Sequence, residues 1–158
     1  MAAASDIATM KQRNPGSHAG TLKARVIATK GPATYTSGGD QRHSLIVGLA
    51  DMTGATKAVI YDSAQFQRYQ AGLSVVIRNF ILKADGSVIV TRDSRTFSTS
   101  HIDAADEYTS EASRLVHPPE ALFMSLEQAA ASPAKTLVSV RGHIVQVSKY
   151  TFFFLYKL

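Results

Sequence analysis

The chain has 158 residues, and its length, composition and charge already exclude several classes of protein. Its 45% of hydrophobic residues can form a core, but the length does not allow a large two-domain enzyme. The absence of Cys excludes disulfide frameworks, thiolate metal sites and cysteine nucleophiles. No stretch approaches the about 18 uninterrupted apolar residues of a membrane span, so none is predicted.

The charge is distributed unevenly along the chain. Residues 20–97 carry ten basic and five acidic side chains, a net of +5, whereas residues 98–132 carry one basic and six acidic side chains, a net of −5. A basic domain followed by an acidic connector indicates a surface that attracts a polyanion, with a connector that competes for it. The alternative is an ordinary solvated surface.

The N-terminal half of the chain contains three predicted strands. Residues 1–19 are rich in Ala and Ser and show little periodicity, which predicts a flexible arm. Alternating apolar residues over Thr21–Thr29 then predict the first strand. The Gly-, Pro-, Ser- and Thr-rich residues 30–43 predict a long loop. Residues 44–50 and 56–61 predict a hairpin, closed by an Asp-Met-Thr-Gly turn.

The remainder of this region completes the pattern of an oligonucleotide/oligosaccharide-binding (OB) fold. Residues 62–72 predict a short helix that ends at Gly72. Residues 73–83 and 87–91 predict two more strands, joined by an Asp-Gly turn. Five short strands with one helix between the third and the fourth are typical of a Greek-key OB barrel. We therefore predict a mainly β fold, with the barrel over residues 20–97.

The C-terminal part is predicted to hold a linker and an incomplete second barrel. Residues 98–135 are expected to form an acidic linker, with a helix at about 119–131 between two prolines. Residues 136–147 alternate again and resemble an opening barrel strand. The last eight residues contain three Phe and one Tyr, so we expect that residues 136–158 are the truncated start of a second OB domain.

Three segments make the prediction more specific: Thr21-Leu-Lys-Ala-Arg-Val26, Leu49-Ala-Asp-Met-Thr-Gly54 and Lys57-Ala-Val-Ile-Tyr61. Together they resemble the DNA-binding OB domains of the replication protein A large subunit, above all the first of them, over residues 20–97. Residues 136–148 resemble the start of the next such domain. The resemblance implies single-stranded DNA binding without catalysis, largely independent of sequence, in nuclear replication, repair or recombination.

The resemblance also implies a binding face on the second and third strands, clamped by the long loop and the last hairpin. Tyr61 matches a residue that stacks on a base, and Lys57 and Arg42 match phosphate contacts. Tyr35 matches a loop aromatic residue, and Lys83 a basic residue entering the last hairpin. Alternation along the third strand independently predicts an outward Tyr61 ring, although a ring packed at the barrel rim is the alternative.

Other basic residues enlarge this candidate site. Five of them add basic area, and each is equally well interpreted as a solvated charge on a strand: Lys23, Arg25, Arg78, Arg92 and Arg95. We include Lys23, Arg25 and Arg92 in the predicted site. The family's second stacking aromatic residue is replaced by an aliphatic one, Val88 or Ile89, which predicts weakened binding.

No motif predicts an enzyme, a cofactor or a metal site. The chain lacks a Gly-rich phosphate loop and a Gly-x-Ser-x-Gly elbow, and its five His are scattered. Two alternatives to a DNA-binding module remain. The first is a protein-interaction OB scaffold that binds an acidic peptide, a subunit of a replication-type complex or the chain's own residues 103–111. The second is an RNA-binding OB module.

Overall fold

The computed structural model describes residues 4–119, 121, 123–133 and 136–141, and it is mainly β. The chain divides into two compact units, Met1–Pro118 and Pro119–Leu158. The strands are β1 (Ala4–Ser5), β2 (Gly16–Ser37), β3 (Asp40–Ala50), β4 (Ala55–Ile60), β5 (Ser74–Leu82), β6 (Val88–Val90) and β7 (Arg95–Ser98). The helices are α1 (Ile7–Lys11), a 3₁₀-helix (Ser63–Arg68), α2 (Asp106–Val116) and α3 (Leu126–Ala131). None of these described helices is long and apolar enough to cross a membrane.

Five strands of the first unit pair in a ring, as predicted for an OB fold. β2 pairs antiparallel with β3, and β3 pairs antiparallel with β4. β4 pairs parallel with β6, which pairs antiparallel with β5, and β5 returns to β2. The side chains that alternate inward from these strands are fully buried and form the core, among them Leu22, Val47, Ile60, Ile77 and Val88. The order of strands, with the 3₁₀-helix between β4 and β5, confirms the mainly β OB architecture.

The N-terminal segment belongs to the core, so the predicted flexible arm is wrong for residues 4–19. β1 pairs parallel with β2, and β2 itself begins at Gly16. Asp6 caps α1 by accepting a hydrogen bond from the Thr9 backbone N–H at 2.7 Å. Ile7 and Met10, on one face of α1, are fully buried among the core residues. Two apolar residues in a five-residue helix give too short a pattern to be recognised without the barrel that they cover.

Replacing Met10 by Ala is expected to lower the free energy of unfolding by about 2–5 kcal/mol, since it leaves a cavity in the core. Urea unfolding of the full chain measures this loss. Gln12→Ala is the matched control, because Gln12 is exposed at the end of the same helix, and its expected cost is within about 0.5 kcal/mol. Equal stability of the Met10 variant and the wild type would show that α1 is not docked.

The predicted long loop, residues 30–43, is instead mostly a two-stranded ribbon. β2 and β3 extend beyond the barrel wall and remain paired, with Tyr35 opposite Arg42 and Ser37 opposite Asp40. Gly38 and Gly39 connect them with φ of 63° and 86°, the left-handed conformations that a tight hairpin turn needs. Gly31 and Pro32 suggested that the strand ends there, because both residues are typical of loops. In the structure they lie at an irregularity in the pairing, and the strand continues past them.

The acidic segment also differs from the predicted linker. Residues 106–116 form α2, which packs on β2, β3 and β4 and buries Ala112 and Val116. In the second unit, α3 begins only at Leu126, after a capping box of Ser125 and Gln128, whereas the predicted helix began at about residue 119. Phe123 forms a parallel bridge with Ser139. Most of the predicted second barrel strand and the terminal aromatic cluster lie outside the described residues, so the second OB domain stays a prediction.

Candidate nucleic-acid interface

The outer face of β3 and β4 has a covered part and an open part. At the covered part, Ala50 and Ala55 pack against Ala112 of α2. A Cβ atom on Gly48 would collide with the backbone carbonyl of Ala112, so only Gly allows this close approach. Gly48 and Lys57 are paired across the two strands and mark the edge of the covered part. Farther along the same face, the Tyr61 ring is 44% exposed.

Two tyrosine rings lie at the open part. Tyr61 follows the end of β4, where its backbone N–H donates to the Val90 carbonyl at 2.9 Å. The Tyr35 ring, on the ribbon, lies edge-on to it, with ring centroids 6.0 Å apart and planes at 73°. Residues 35 and 61 are distant in sequence, and the ribbon brings them together by folding beside β4. The sequence predicted both aromatic residues for the site, and the structure makes them neighbours.

The two rings line a cleft of about 980 Å³, which we call the tyrosine cleft. Its lining comes from the ribbon, the end of β4, the start of the 3₁₀-helix and the turn before β7: Tyr35, Asp40, Gln41, Arg42, His43, Tyr61, Ser63, Thr91, Arg92 and Asp93. The predicted site residues Arg42 and Arg92 are therefore in the same cleft as both tyrosines. Two arginines are balanced there by two aspartates, so rings and polar groups, not net charge, dominate its chemistry.

The turn formed by residues 91–94 holds Arg92 at the cleft. Ser94 is fully buried, and its hydroxyl donates to the Asn79 carbonyl at 2.7 Å. The Thr91 backbone N–H donates to the same hydroxyl oxygen at 3.0 Å. The turn is thus tied to β5, which fixes where the Arg92 backbone lies. Nothing in the local sequence Thr-Arg-Asp-Ser indicated that its serine was an anchor.

Lys57 and Lys83 lie outside the tyrosine cleft. Lys57 stands opposite Gly48 in the row next to α2, and Lys83 precedes the Asp85–Gly86 turn. Hydrogen bonds from the Ser87 hydroxyl and backbone N–H lower the pKa of Asp85 from its ordinary value, and the positive charges of Lys57 and Lys83 add to this effect. Asp85 therefore offsets part of the charge that was predicted to contact phosphates.

Lys23 and Arg25 lie on another wall of the barrel. Lys23 faces outward opposite Val76 of β5 and lines a shallow depression with three acidic residues, Asp6, Asp51 and Asp103. Arg25 is half-buried, and its Nε atom has no hydrogen-bond partner among the described residues. The structure therefore does not bring these two predicted residues to the tyrosine cleft.

Phe97 is an exposed aromatic residue that sequence reasoning missed. It lies on the outer face of β7 with 47% of its surface exposed, and the Arg78 guanidinium carbon is 5.8 Å from its ring centroid. Along β7, Arg95 and Phe97 are exposed and Thr96 is buried, so the apolar ring lies outside and the polar side chain inside. Hydrophobicity predicts the reverse orientation, so no pattern in the sequence indicates an exposed ring at this position.

The described ranges place no group of three or more His, Asp or Glu side chains where it could hold a metal ion. The polar atoms of the tyrosine cleft come from hydroxyls, one amide, one imidazole, two guanidinium groups and two carboxylates. Such groups can donate to and accept from the edges of a flat ligand while a tyrosine ring covers one of its faces.

No protein-family model matches the chain, and no curated protein matches it in sequence. Among solved structures, it is similar to the Ifi202 HINa domain in complex with 20-bp double-stranded DNA, with a TM-score of 0.58 and 10% identity over 79% of this chain and 61% of that one. It is also similar to a murine DNA-binding protein bound to double-stranded DNA, with a TM-score of 0.54 and 13% identity over 76% of this chain and 60% of that one.

A third similar structure is the OB domain of Ta0387 from Thermoplasma acidophilum, with a TM-score of 0.50 and 16% identity over 65% of this chain and 92% of that one. The chain spans about three fifths of the length of the first two structures. Together with the ring of strands, these similarities show that the fold is of the OB class. The finer resemblance to the replication protein A large subunit stays a prediction.

Proposed function

We propose that this chain binds single-stranded nucleic acid, in the first place DNA, in the tyrosine cleft and without catalysis. The observation that carries the proposal is the pair of tyrosine rings, 6.0 Å apart, in a cleft that also presents Arg42 and Arg92. Bases stack on exposed aromatic rings, while arginines contact phosphates or stack in turn. The similar structures in complex with DNA support nucleic acid as the class of ligand.

The exposed Tyr61 ring and the half-buried Tyr35 ring favour a single strand over a duplex. The face of a base is available to a tyrosine only when the base is not stacked within a duplex. Stacking also tolerates every base, so binding should depend little on sequence. The assignment to replication, repair or recombination and to the nucleus rests on the resemblance alone, and so does the choice of DNA over RNA.

Fluorescence anisotropy with a labelled DNA strand of about 12 nucleotides tests the proposal. We expect micromolar affinity that falls as salt rises, by a logarithmic slope of about −0.7 for each phosphate contacted. An unlabelled single strand should compete well and the corresponding duplex poorly, and an RNA strand added as a third competitor decides between DNA and RNA. Equal competition by the duplex would instead indicate double-stranded binding.

One observation favours the alternative of a protein-interaction scaffold. α2 carries Asp106, Glu107 and Glu111 and already occupies part of the outer face, so this face accepts an acidic helix. An absence of binding to any strand at low salt would contradict nucleic-acid binding and support this alternative.

A further inference from the structure

A second surface with aromatic and basic residues lies on the wall formed by β5 and β7. Arg78 pairs with Arg95, and Val76 pairs with Phe97, so Arg78, Arg95 and Phe97 share the outer face. The Arg78 guanidinium lies against the Phe97 ring, which nevertheless stays 47% exposed. We call Arg78, Arg95 and Phe97 the Phe97 patch. An aromatic ring held by one arginine beside another is the combination that single-strand-binding surfaces use.

The Phe97 patch is connected to the tyrosine cleft by the turn at residues 91–94. The Arg95 Nη1 atom donates to the Arg92 carbonyl at 2.6 Å and to the Ser94 carbonyl at 3.0 Å. Arg95 therefore lies over this turn, and Arg92 of the same turn lines the cleft. Because Ser94 ties the turn to Asn79, the cleft and the patch are joined by one connection that is anchored to β5.

No carboxylate among the described residues neutralises the cations along this connection, although Arg95 also donates to two backbone carbonyls, so their charge is available to a polyanion. Within the described part of the chain, none of Arg78, Arg92 and Arg95 lies within 4.0 Å of a carboxylate. Arg92 and Asp93 of the turn belong to the balanced charges of the cleft, and the Phe97 patch adds Arg78 and Arg95. The charges balance in the cleft but not beyond it, and a strand that left the cleft over this turn would move toward positive potential.

We infer that the Phe97 patch is a second contact site for the same nucleic-acid strand. The strand extends from the tyrosine cleft over the turn, a base stacks on Phe97, and Arg78 and Arg95 contact its phosphates. The inference rests on the proposed function and adds to it a path and a minimum length, because a strand confined to the cleft does not reach Phe97.

Two strand lengths test the path in the full chain. We expect Phe97→Ala to weaken binding of a strand of about 12 nucleotides by about five-fold or more, and to leave binding of a strand of about 4 nucleotides unchanged. Phe97→Trp keeps a stacking surface and should bind both lengths as the wild type does. Met52→Ala is the matched control, since Met52 is 61% exposed in the turn between β3 and β4 and belongs neither to the patch nor to the lining of the cleft, and it should change neither affinity.

A second variant tests the phosphate contacts separately from stacking. Arg95→Gln should make the logarithmic salt slope of the longer strand less steep by about 0.7 and leave that of the shorter strand unchanged. Equal weakening of both lengths by Phe97→Ala, or of neither, would overturn the inference while the proposed function stood. Failure of the wild type to bind either strand would overturn the proposed function itself. Thermal unfolding of each variant identifies losses that come from misfolding.

Discussion

Replacing Tyr35 and Tyr61 together by Ala is expected to weaken binding of single-stranded DNA by about thirty-fold or more. Each ring that stacks on a base contributes about 1–3 kcal/mol, and about 1.4 kcal/mol corresponds to a ten-fold change in affinity. The two rings contact each other, so the single replacements need not add up to the double one. Fluorescence anisotropy of the three variants at one salt concentration measures both the losses and their coupling.

Replacement of each Tyr by Phe is the control for this prediction. Tyr61→Phe and Tyr35→Phe keep the aromatic surface and remove only the hydroxyl, so their affinities should stay within about two-fold of the wild type. If Tyr61→Ala bound as tightly as the wild type, the strand would not lie on this face. If the Phe variants lost as much affinity as the Ala variants, the hydroxyl groups would be the ligand contacts, and the interpretation that the rings stack on bases would be wrong.

Gly48→Val is expected to lower the free energy of unfolding by about 1–3 kcal/mol. A side chain at this position collides with the backbone of α2 at Ala112, and backbone cannot rotate away as a flexible side chain can. The helix must then move off the barrel, and Val116 loses its burial against the same face. Urea denaturation measures the loss, and Gly48→Ala should give a smaller one.

Ser44→Val is the matched control for the packing of α2. Ser44 lies four residues earlier on the same face of the same strand, and its half-buried position is in the open part beside Tyr61. Val suits a strand, so we expect a change within about 0.5 kcal/mol. Equal effects of Val at both positions would show that strand propensity, not contact with α2, determines the cost at Gly48.

The elements that local chemistry specifies were predictable from the sequence. Residue type predicts two turns, Asp-Met-Thr-Gly between β3 and β4 and Asp-Gly before β6. Alternation of apolar residues predicts the strands between them. By contrast, α1 and α2 derive their stability from what they cover. Ile7 and Met10 need the barrel core, and Ala112 needs the flat surface at Gly48, so composition alone suggested an arm and a linker.

The candidate site was predicted only in part, because local patterns show which side chains face outward but not which strands lie next to each other. Alternation placed the Tyr61 ring on the outer face, and Arg42 is beside Tyr35 because their strands pair. The same alternation made Lys23 an outward residue too, but a barrel has outward faces all around it. Only the pairing of β2 with β5 shows that Lys23 belongs to another wall of the barrel. The sequence of neither strand specifies which distant strand it pairs with.

Asp51 takes part both in a local turn and in a contact between segments that are distant in sequence. Its carboxylate accepts hydrogen bonds from the Thr53 backbone N–H at 2.7 Å and the Gly54 backbone N–H at 3.0 Å, and also from the Ile7 backbone N–H at 2.7 Å, 44 residues away. The turn bonds close a loop of only a few residues, which costs little chain entropy and forms quickly. We expect the bond to Ile7 to form later, because it closes a much longer loop and needs the barrel to present Asp51 to α1. One side chain therefore joins a local turn to a segment that is distant in sequence, and we expect its two sets of hydrogen bonds to form at different stages of folding.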